Sequence, residues 1–440
     1  MSSLEKSAQL AIDLIKKHSV SDYEISLSNS SGVSTAVRLG KVETLQYHLD
    51  KSFDINVYFG QKKGHASSVD LSAQSLEQTI ESACLIAKYT QEDPFNGLAP
   101  KELMAFEAPD LDLYHPWELD SKESIDIAKE CENAGLEQDN IDNSDGAEVS
   151  SFQGESLYAN SNGLMATQRS TKHSLHASLI AKKGTDMQTA YEYSSALDAN
   201  DLDAPHQVGV KAAELAQRKL GAQPLVSQKC PVIFTPRLSN GIFRELLGAL
   251  GGSRQYKKST FLLDSIDQLV LPQGIGVEEN PLAKKTIGAK AFDQNGVLKR
   301  QQYFVKDGRV VSYVMGQYSA NQLGRQTTAN AGGVNNVIIK HPFEGGLSEM
   351  IRSMGKGLVI TELMGQGVNA TTGDYSRGAT GLWVENGEIQ YPVSGLTIAG
   401  NLKDMLLGIS HIGNDIDPRH NIKVGSVLID EMTIAGEGDA

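Results

Sequence analysis

Few residues in this chain are spaced so that they could do hydrolytic, redox or transfer chemistry. None of the ten histidines lies in an HExxH pattern, in which two imidazoles one helical turn apart hold zinc and the intervening carboxylate acts as base. His173 and His176 are three apart, but their segment reads as a strand, so the rings are expected on opposite faces. His341 and His411 are isolated, and His420 follows Pro418-Arg419 in a loop. No GxSxG elbow positions a nucleophilic serine. The three cysteines, Cys84, Cys131 and Cys230, are far apart and form no CxxC pair, which supports neither a disulfide framework nor a cysteine zinc site. Gly365-Gln366-Gly367 with Ala370 imitates a dinucleotide fingerprint, with Glu385 downstream for a ribose. Thr371-Thr372-Gly373-Asp374 is nevertheless a poor helix opening, and no βαβ repeat surrounds it. The one basic cluster, residues 251–259, follows a helix C-terminus, the wrong end of the dipole for phosphate.

The most conspicuous stretch is residues 355–401. An apolar run, Leu358 to Leu363, enters a glycine-rich segment holding Glu362, Asn369, Thr371, Thr372, Asp374, Tyr375 and Arg377. Repeated glycine beside charged groups marks a loop shaped for close backbone approach. Such a loop is either a tightly turned β connection whose polar groups bond one another or the wall of a binding site. On the second reading Glu362, Asn369, Asp374, Tyr375 and Arg377 are the candidates for substrate or partner contact. On the first, Asp374 and Arg377 form a salt bridge within the loop.

Periodicity supplies the elements that must hold these residues. Leu4, Ala8, Ala11, Ile12 and Ile15 recur at helical spacing behind a Ser2/Glu5 capping box. Short strands follow at 23–29, 33–39, 42–48, 53–59 and 65–69, with turns expected at Ser31-Gly32, Gly40-Lys41, Asp50-Lys51 and 60–64. Helices are expected at about 73–89 and, capped by Asp120, to about 138. Strands at 149–152 and 156–160, turned at Gln153-Gly154, lead through the Asn162-Gly163 hairpin to 164–181; Pro205 opens a further helix. Past a linker at 221–229 the balance shifts to β. Ser239 is expected to cap a helix, Asp307-Gly308 and Asn386-Gly387 turn hairpins, Asn401 caps a short helix, and 424–429 is a final strand. The fold class is α+β: an N-terminal domain (1–222) with an antiparallel sheet and long helices, and a C-terminal, β-rich, barrel-like domain (223–440).

Bulk properties exclude several functions. A net charge of -14 argues against nucleic acid as a main partner. No run of about 18 apolar residues is present to span a membrane. The polar N-terminus lacks a signal-peptide core, and a reducing cytoplasm is the expected location.

Four segments carry a resemblance: 66–72 (ASSVDLS), 106–116 (FEAPDLDLYHP), 258–264 (KSTFLLD) and the glycine-rich stretch itself. Together they resemble the TldD/PmbA modulator-of-gyrase family, PmbA/TldE type, almost from end to end. The resemblance implies a role in proteolytic maturation of modified peptides and in breakdown of unfolded or antitoxin-type proteins. It also implies a TldD-like metalloprotease partner. TldD-type subunits carry an HExxxH helix and a downstream cysteine for their metal. Here Arg244 to Ala249 (RELLGA) occupies the helix motif: Glu245 and Gly248 match, while Arg244 and Ala249 replace the histidines, and Ile412 stands at the cysteine. The expectation is therefore a chain that binds no metal itself, in a heterodimer whose other subunit holds zinc; a homodimer is open to it in isolation. An extended peptide is expected to pair with strand edges in a shared chamber. The alternatives are a self-sufficient metallopeptidase with unrecognised ligands and a non-enzymatic peptide-binding adaptor.

Overall fold

The computed structural model describes residues 2–341 and 343–436. Its N-terminal half contains α1 (Ser3–Ile15), β1 (Asp22–Arg38), β2 (Lys41–Phe59), β3 (Lys62–Ser68), α2 (Ala73–Tyr89), α3 (Ser121–Leu136), β4 (Ile141–Asn160), β5 (Met165–Lys183), β6 (Asp186–Ala196) and α4 (Pro205–Gln217). The six strands form one sheet in the order β3-β2-β1-β4-β5-β6, antiparallel throughout. Two helix pairs cover one face. Under α1 and α2 lie Ile25, Leu27, Phe53 and Ile55; under α3 and α4 lie Val149, Leu175 and Leu179. The Ser2/Glu5 capping box and the Asp120 cap are both present.

Three expected turns are absent. β1, β2 and β4 run unbroken for 17, 19 and 20 residues through Ser31-Gly32, Asp50-Lys51 and Gln153-Gly154. These residues lie in mid-sheet, where little covers the strands, so serine, glycine and charge replace the apolar alternation and imitate turns. Gly32 faces Phe152, and a Cβ there would lie 2.4 Å from Phe152 Cδ1, so the ring takes the place of the missing side chain. The turn expected at Gly40-Lys41 is present one residue earlier, at Leu39-Gly40: both residues have positive φ, as a type I′ hairpin requires, and Lys41 already pairs with Arg38.

The C-terminal half contains β7 (Gln228–Phe234), α5 (Pro236–Ala249), α6 (Gly252–Tyr256), β8 (Gly276–Glu279), β9 (Gln302–Lys306), β10 (Arg309–Val310), α7 (Gln317–Gln322), β11 (Val337–Lys340), α8 (Leu347–Met354), β12 (Gly357–Met364), β13 (Asp374–Glu385), β14 (Glu388–Asn401), α9 (Leu402–Leu407), β15 (Ile409–Ile412), β16 (Ile422–Lys423) and β17 (Val427–Ala435). The order β14-β13-β12-β7-β17 closes through a β14–β17 pairing, giving a five-stranded barrel with β15 attached to β17. A second sheet, β10-β9-β8-β11-β16, packs on the same core, which includes Phe234, Phe243, Phe304 and Trp383. The fold is thus α+β with a closed barrel, as the sequence reading expected.

Two local expectations fail here. Ser239 is not a cap: Thr235 precedes the helix, Pro236 opens it, and the buried Ser239 hydroxyl donates to the Pro236 carbonyl at 3.2 Å. The final strand begins at Val427 and not at 424. The halves meet on the uncovered face of the first sheet. There the buried Glu24 carboxylate accepts from the Tyr58 and Tyr158 hydroxyls at 2.6 and 2.9 Å and from Asn295 at 3.4 Å.

Candidate functional site

A cavity of about 980 Å3 opens between the halves. One wall is β6, the last strand of the first sheet, with α4 behind it. The other is built from the start of α5, the barrel strands β12 and β13, and the loop 416–420. The sequence reading placed no strand at 186–196. Only Ala190, Ser194 and Ala196 of β6 are buried, so it carries little apolar signal. The clues were Gly184, whose positive φ turns β5 into β6, and two tyrosines at i and i+2.

β6 has a strand neighbour on one side only, β5. Its other edge is occupied by three cations. The carbonyls of Thr189, Tyr191 and Tyr193 accept from Lys219 Nζ (2.7 Å), Arg237 Nη1 (3.2 Å) and Arg419 Nη1 respectively. Alternate carbonyls of a strand point the same way, so three residues cap one edge in register. The Glu192 carboxylate adds a bond from the Tyr193 N–H at 2.9 Å. The strand edge facing the cleft is therefore closed to an added peptide strand unless these side chains move.

The same cations form an ionic network across the cleft. Arg419 makes two bonds to Asp417, Nε to Oδ1 at 2.8 Å and Nη2 to Oδ2 at 2.6 Å, and reaches Glu192 at 2.7 Å. Arg237 approaches Glu192 at 3.7 Å and lies between the Tyr191 and Tyr193 rings, 4.7 and 5.5 Å from their centroids. Burial alone would raise the Asp417 carboxyl, but the bonds from Arg419 outweigh it and hold the group below its ordinary range. Burial alone would lower Arg419, but its two carboxylate partners outweigh that and raise it. His420, 3.5 Å from Asp417, is lowered, first by burial and then by the positive charges of Arg419, Arg237 and Arg244, with Asp417 opposing. Two guanidiniums face two carboxylates, so the network is close to neutral.

Of the sequence-selected residues, Glu362 lines this cleft, in an ion pair with Lys219 at 2.6 Å. The others lie elsewhere. Asn369 Oδ1 accepts from the backbone of Thr371 and Thr372, and Asp374 is held by the Thr372 hydroxyl (2.6 Å) and Asn401 Nδ2 (3.3 Å). The segment has the geometry of a tightly bonded turn. Asp374 and Arg377 make no ion pair among the described residues; three apart on β13, their side chains point to opposite faces. Tyr375 is buried in the barrel core, and burial pushes its hydroxyl up to about 12, with Arg377 lowering it and Glu245 raising it. Glu245, Tyr375 and Arg377 are thus neighbours, and the α5 helix and the glycine-rich segment meet there.

The residues that the resemblance set at the metal motif do not converge on a donor set. Arg244 is exposed and acts on His420; Ala249 and Ile412 are buried in the hydrophobic core. A guanidinium, a methyl and a sec-butyl group do not fit a zinc ion, which takes nitrogen, sulfur or oxygen donors. Among the described residues no three His, Cys, Asp or Glu stand together as a metal-binding group. His173 and His176 point to opposite faces: His173 is buried against Ser151 Oγ (3.0 Å) and the His115 carbonyl (2.9 Å), while His176 lies against Tyr191 with the rings tilted by 36°. The three thiols are buried, and burial pushes Cys131 up to about 12 and Cys230 up to about 11.

Family models for the PmbA/TldA metallopeptidase match in three consecutive blocks: domain 1 over residues 23–87, the central domain over 114–220 and the C-terminal domain over 227–436. Metalloprotease PmbA of Escherichia coli O157:H7 is 44% identical over 437 residues, covering 99% of this chain and 96% of that one. The chain belongs to the PmbA/TldD family. A Haemophilus influenzae PmbA homolog is 40% identical, with 98% and 96% covered, whereas the TldD homolog of that organism is 21% identical, with 99% and 97% covered. Among solved structures, a Bacteroides thetaiotaomicron protein named as a modulator of DNA gyrase superposes with a TM-score of 0.93 at 26% identity, 99% of each chain covered. TldE from Thermococcus kodakarensis shares the fold, with a TM-score of 0.82 at 20% identity over 99% of this chain and all of that one. No helix among the described residues is long and apolar enough to cross a membrane.

Proposed function

We propose that this chain is the component without zinc ligands of a two-subunit PmbA/TldD-type metalloprotease. It pairs with a TldD-like subunit that holds the zinc, and together they process modified peptides and degrade unfolded or antitoxin-type proteins in the cytoplasm. The observation that carries this reading is the trio Arg244, Ala249 and Ile412. On the family resemblance they take the metal-motif positions, and they offer no donor, while Glu245 keeps its place on the same helix. The cleft between residues 1–222 and 223–440, which we take as the two domains, supplies shape, two tyrosine rings and an ion pair at Glu362. Nucleic acid has no part in this reading, given the net charge of -14.

The test is to purify the chain alone, the TldD-like subunit alone and the two together, and to follow cleavage of an unfolded polypeptide with and without chelator. Chelator-sensitive cleavage by the mixture, with none from this chain alone, is the expected result. Full zinc-dependent turnover by this chain alone refutes the division of labour. Polypeptide binding without any effect on cleavage in the mixture favours an adaptor instead.

A further inference from the structure

Between its two helix pairs the N-terminal sheet is left open. Asn29, Lys51 and Glu155 stand two residues along their strands from Leu27, Phe53 and Leu157, so they share the helix-covered face. They lie past the end of the core under α1 and α2 and before the core under α3 and α4, which begins at Val33 and Val149. A pocket of about 220 Å3 opens there, lined by Ser31, Lys51, Gln153 and Gly154, the residues that imitate turns in the sequence. Directly opposite partners set out one row across its floor: Lys51 on β2, Asn29 on β1, Glu155 on β4 and Arg169 on β5. At about 4.8 Å per strand the two ends of the row are roughly 14 Å apart at the backbone, a gap that two long cationic side chains can close over.

The charges of this row have no partners within the chain. Lys51, Glu155 and Arg169 make no ion pair and no side-chain hydrogen bond among the described residues. Lys51 acts on Asp70 through its charge alone. Opposite charges facing each other across strands ordinarily pair, and Glu155 faces Arg169 directly. The guanidinium turns instead to Tyr114, 3.6 Å from the ring centroid. Tyr114 is fixed in turn, its hydroxyl donating to Gln153 Oε1 at 2.6 Å. Its loop is tied to the sheet where the Leu113 carbonyl accepts from the Thr171 N–H at 2.9 Å. A guanidinium stacked by its face keeps its edge N–H groups free for a carboxylate. The Gln153 amide, engaged through its oxygen, keeps its NH2 as a further donor.

Two cations and one carboxylate leave the row with one excess positive charge. The ligand that neutralises every group carries two carboxylates and one ammonium. It is also small, because the pocket falls below the roughly 300–1,000 Å3 of sites that take drug-sized molecules. We propose that this pocket binds an acidic amino-acid unit, either free or as the end of an acidic dipeptide, with one carboxylate on Arg169, the other on Lys51 and the ammonium on Glu155. The site lies on the helix-covered face, apart from the cleft, and does not rest on the assignment of zinc to another subunit.

Isothermal titration calorimetry of the full chain with L-glutamate and with glycyl-glutamate tests it, circular dichroism and melting confirming that each variant folds. Saturable binding is expected. Glutarate, which lacks the ammonium, and glutamine, which lacks one carboxylate, should each bind about tenfold more weakly or worse. Arg169→Gln and Lys51→Met should weaken glutamate by a similar factor. Glu155→Gln should weaken glutamate and leave glutarate unchanged or tighter, a reversal that misfolding cannot produce. Tighter binding of the dipeptide marks a peptide end as the source of the ligand, and tighter binding of glutamate marks the free amino acid. No saturable binding of either overturns the proposal. So does binding that Arg169→Gln and Glu155→Gln leave unchanged, or that glutarate and glutamine match.

Discussion

Arg419→Met removes the centre of the cleft network, and its cost can be worked from the contacts. Arg419 bonds Asp417 through Nε and Nη2, Glu192 through Nη1 at 2.7 Å and the Tyr193 carbonyl, and it covers the Tyr193 ring at 4.2 Å. The two carboxylates it leaves are only 5% and 14% exposed at the side chain, so neither is fully returned to water. Breaking a buried pair by deleting one partner costs roughly 3–5 kcal/mol. Two features reduce this: Arg237 stays 3.7 Å from Glu192, and the cleft admits solvent. A loss of about 2–3 kcal/mol remains, equivalent to a fall in Tm of about 4–12 °C if the C-terminal half unfolds as one unit. Calorimetry of the wild type, Arg419→Met, Asp417→Asn and the double variant gives the coupling, expected at about 1 kcal/mol or more because removing the stranded charge relieves the first substitution. The pH dependence has a definite sign. A carboxyl held below its unfolded value contributes stability that is present above that value and is lost as pH falls through the folded one. Without the Arg419 guanidinium, burial of Asp417 is opposed only by the backbone N–H of residue 419 and by His420, and the loss begins at higher pH. A variant melting within about 1 °C of wild type, or no relief from Asp417→Asn, refutes the reasoning.

His176, His341 and His420 are all lowered, in each case first by burial. The unfolded chain binds protons at these sites from about pH 6.5 downward while the folded chain does not, so Tm is expected to fall between about pH 7.5 and 5.5, and replacing the three with Asn should flatten that slope. Glu132→Ala strips the acceptor from the Leu39 and Gly40 N–H groups and should cost about 2–4 kcal/mol, read as faster amide exchange at the hairpin. Gly367→Ala would set a Cβ 1.5 Å from the Ser376 carbonyl and should abolish folding or displace Tyr375, whereas Gly365→Ala, with positive φ and open space, should cost only about 1–2 kcal/mol. Equal melting of the two glycine variants would remove the steric basis of that contrast.

Much of the fold was legible where local chemistry decides structure. Asp307-Gly308, Asn386-Gly387 and Asn162-Gly163 do turn hairpins, and Ser2, Asp120 and Asn401 do cap helices. The same rules misread Ser31-Gly32 and Gln153-Gly154, because turn residues and the uncovered middle of a long strand have the same composition. The cleft was least legible. Glu192, Arg237, Asp417 and Arg419 come from β6, α5 and the loop 416–420, and only the docking of the two halves brings them together. The glycine-rich stretch drew attention for a different reason. Several of its glycines are required by passing backbone, as Gly381 is by the Val359 carbonyl, 2.3 Å from where a Cβ would lie.

The treatment of the two sheet edges bears on both functional readings. Unpaired strand edges invite further pairing, and proteins commonly block them with charge, proline, bulges or cover. At β6 the blocking is thorough: three cations from beyond the sheet sit on successive outward carbonyls, and two of them are fixed in turn by Glu192 and Asp417. A polypeptide entering the cleft therefore meets side chains first, and can add as a strand only by displacing Arg237 and Arg419 from their carboxylates. At β2 no side chain outside the sheet is bonded to the outward backbone of residues 41–52 among the described residues, and the charges sit at the ends of an apolar centre. The same sheet thus has one edge guarded from within the chain, at the cleft, and one that no strand of the chain covers over residues 41–52.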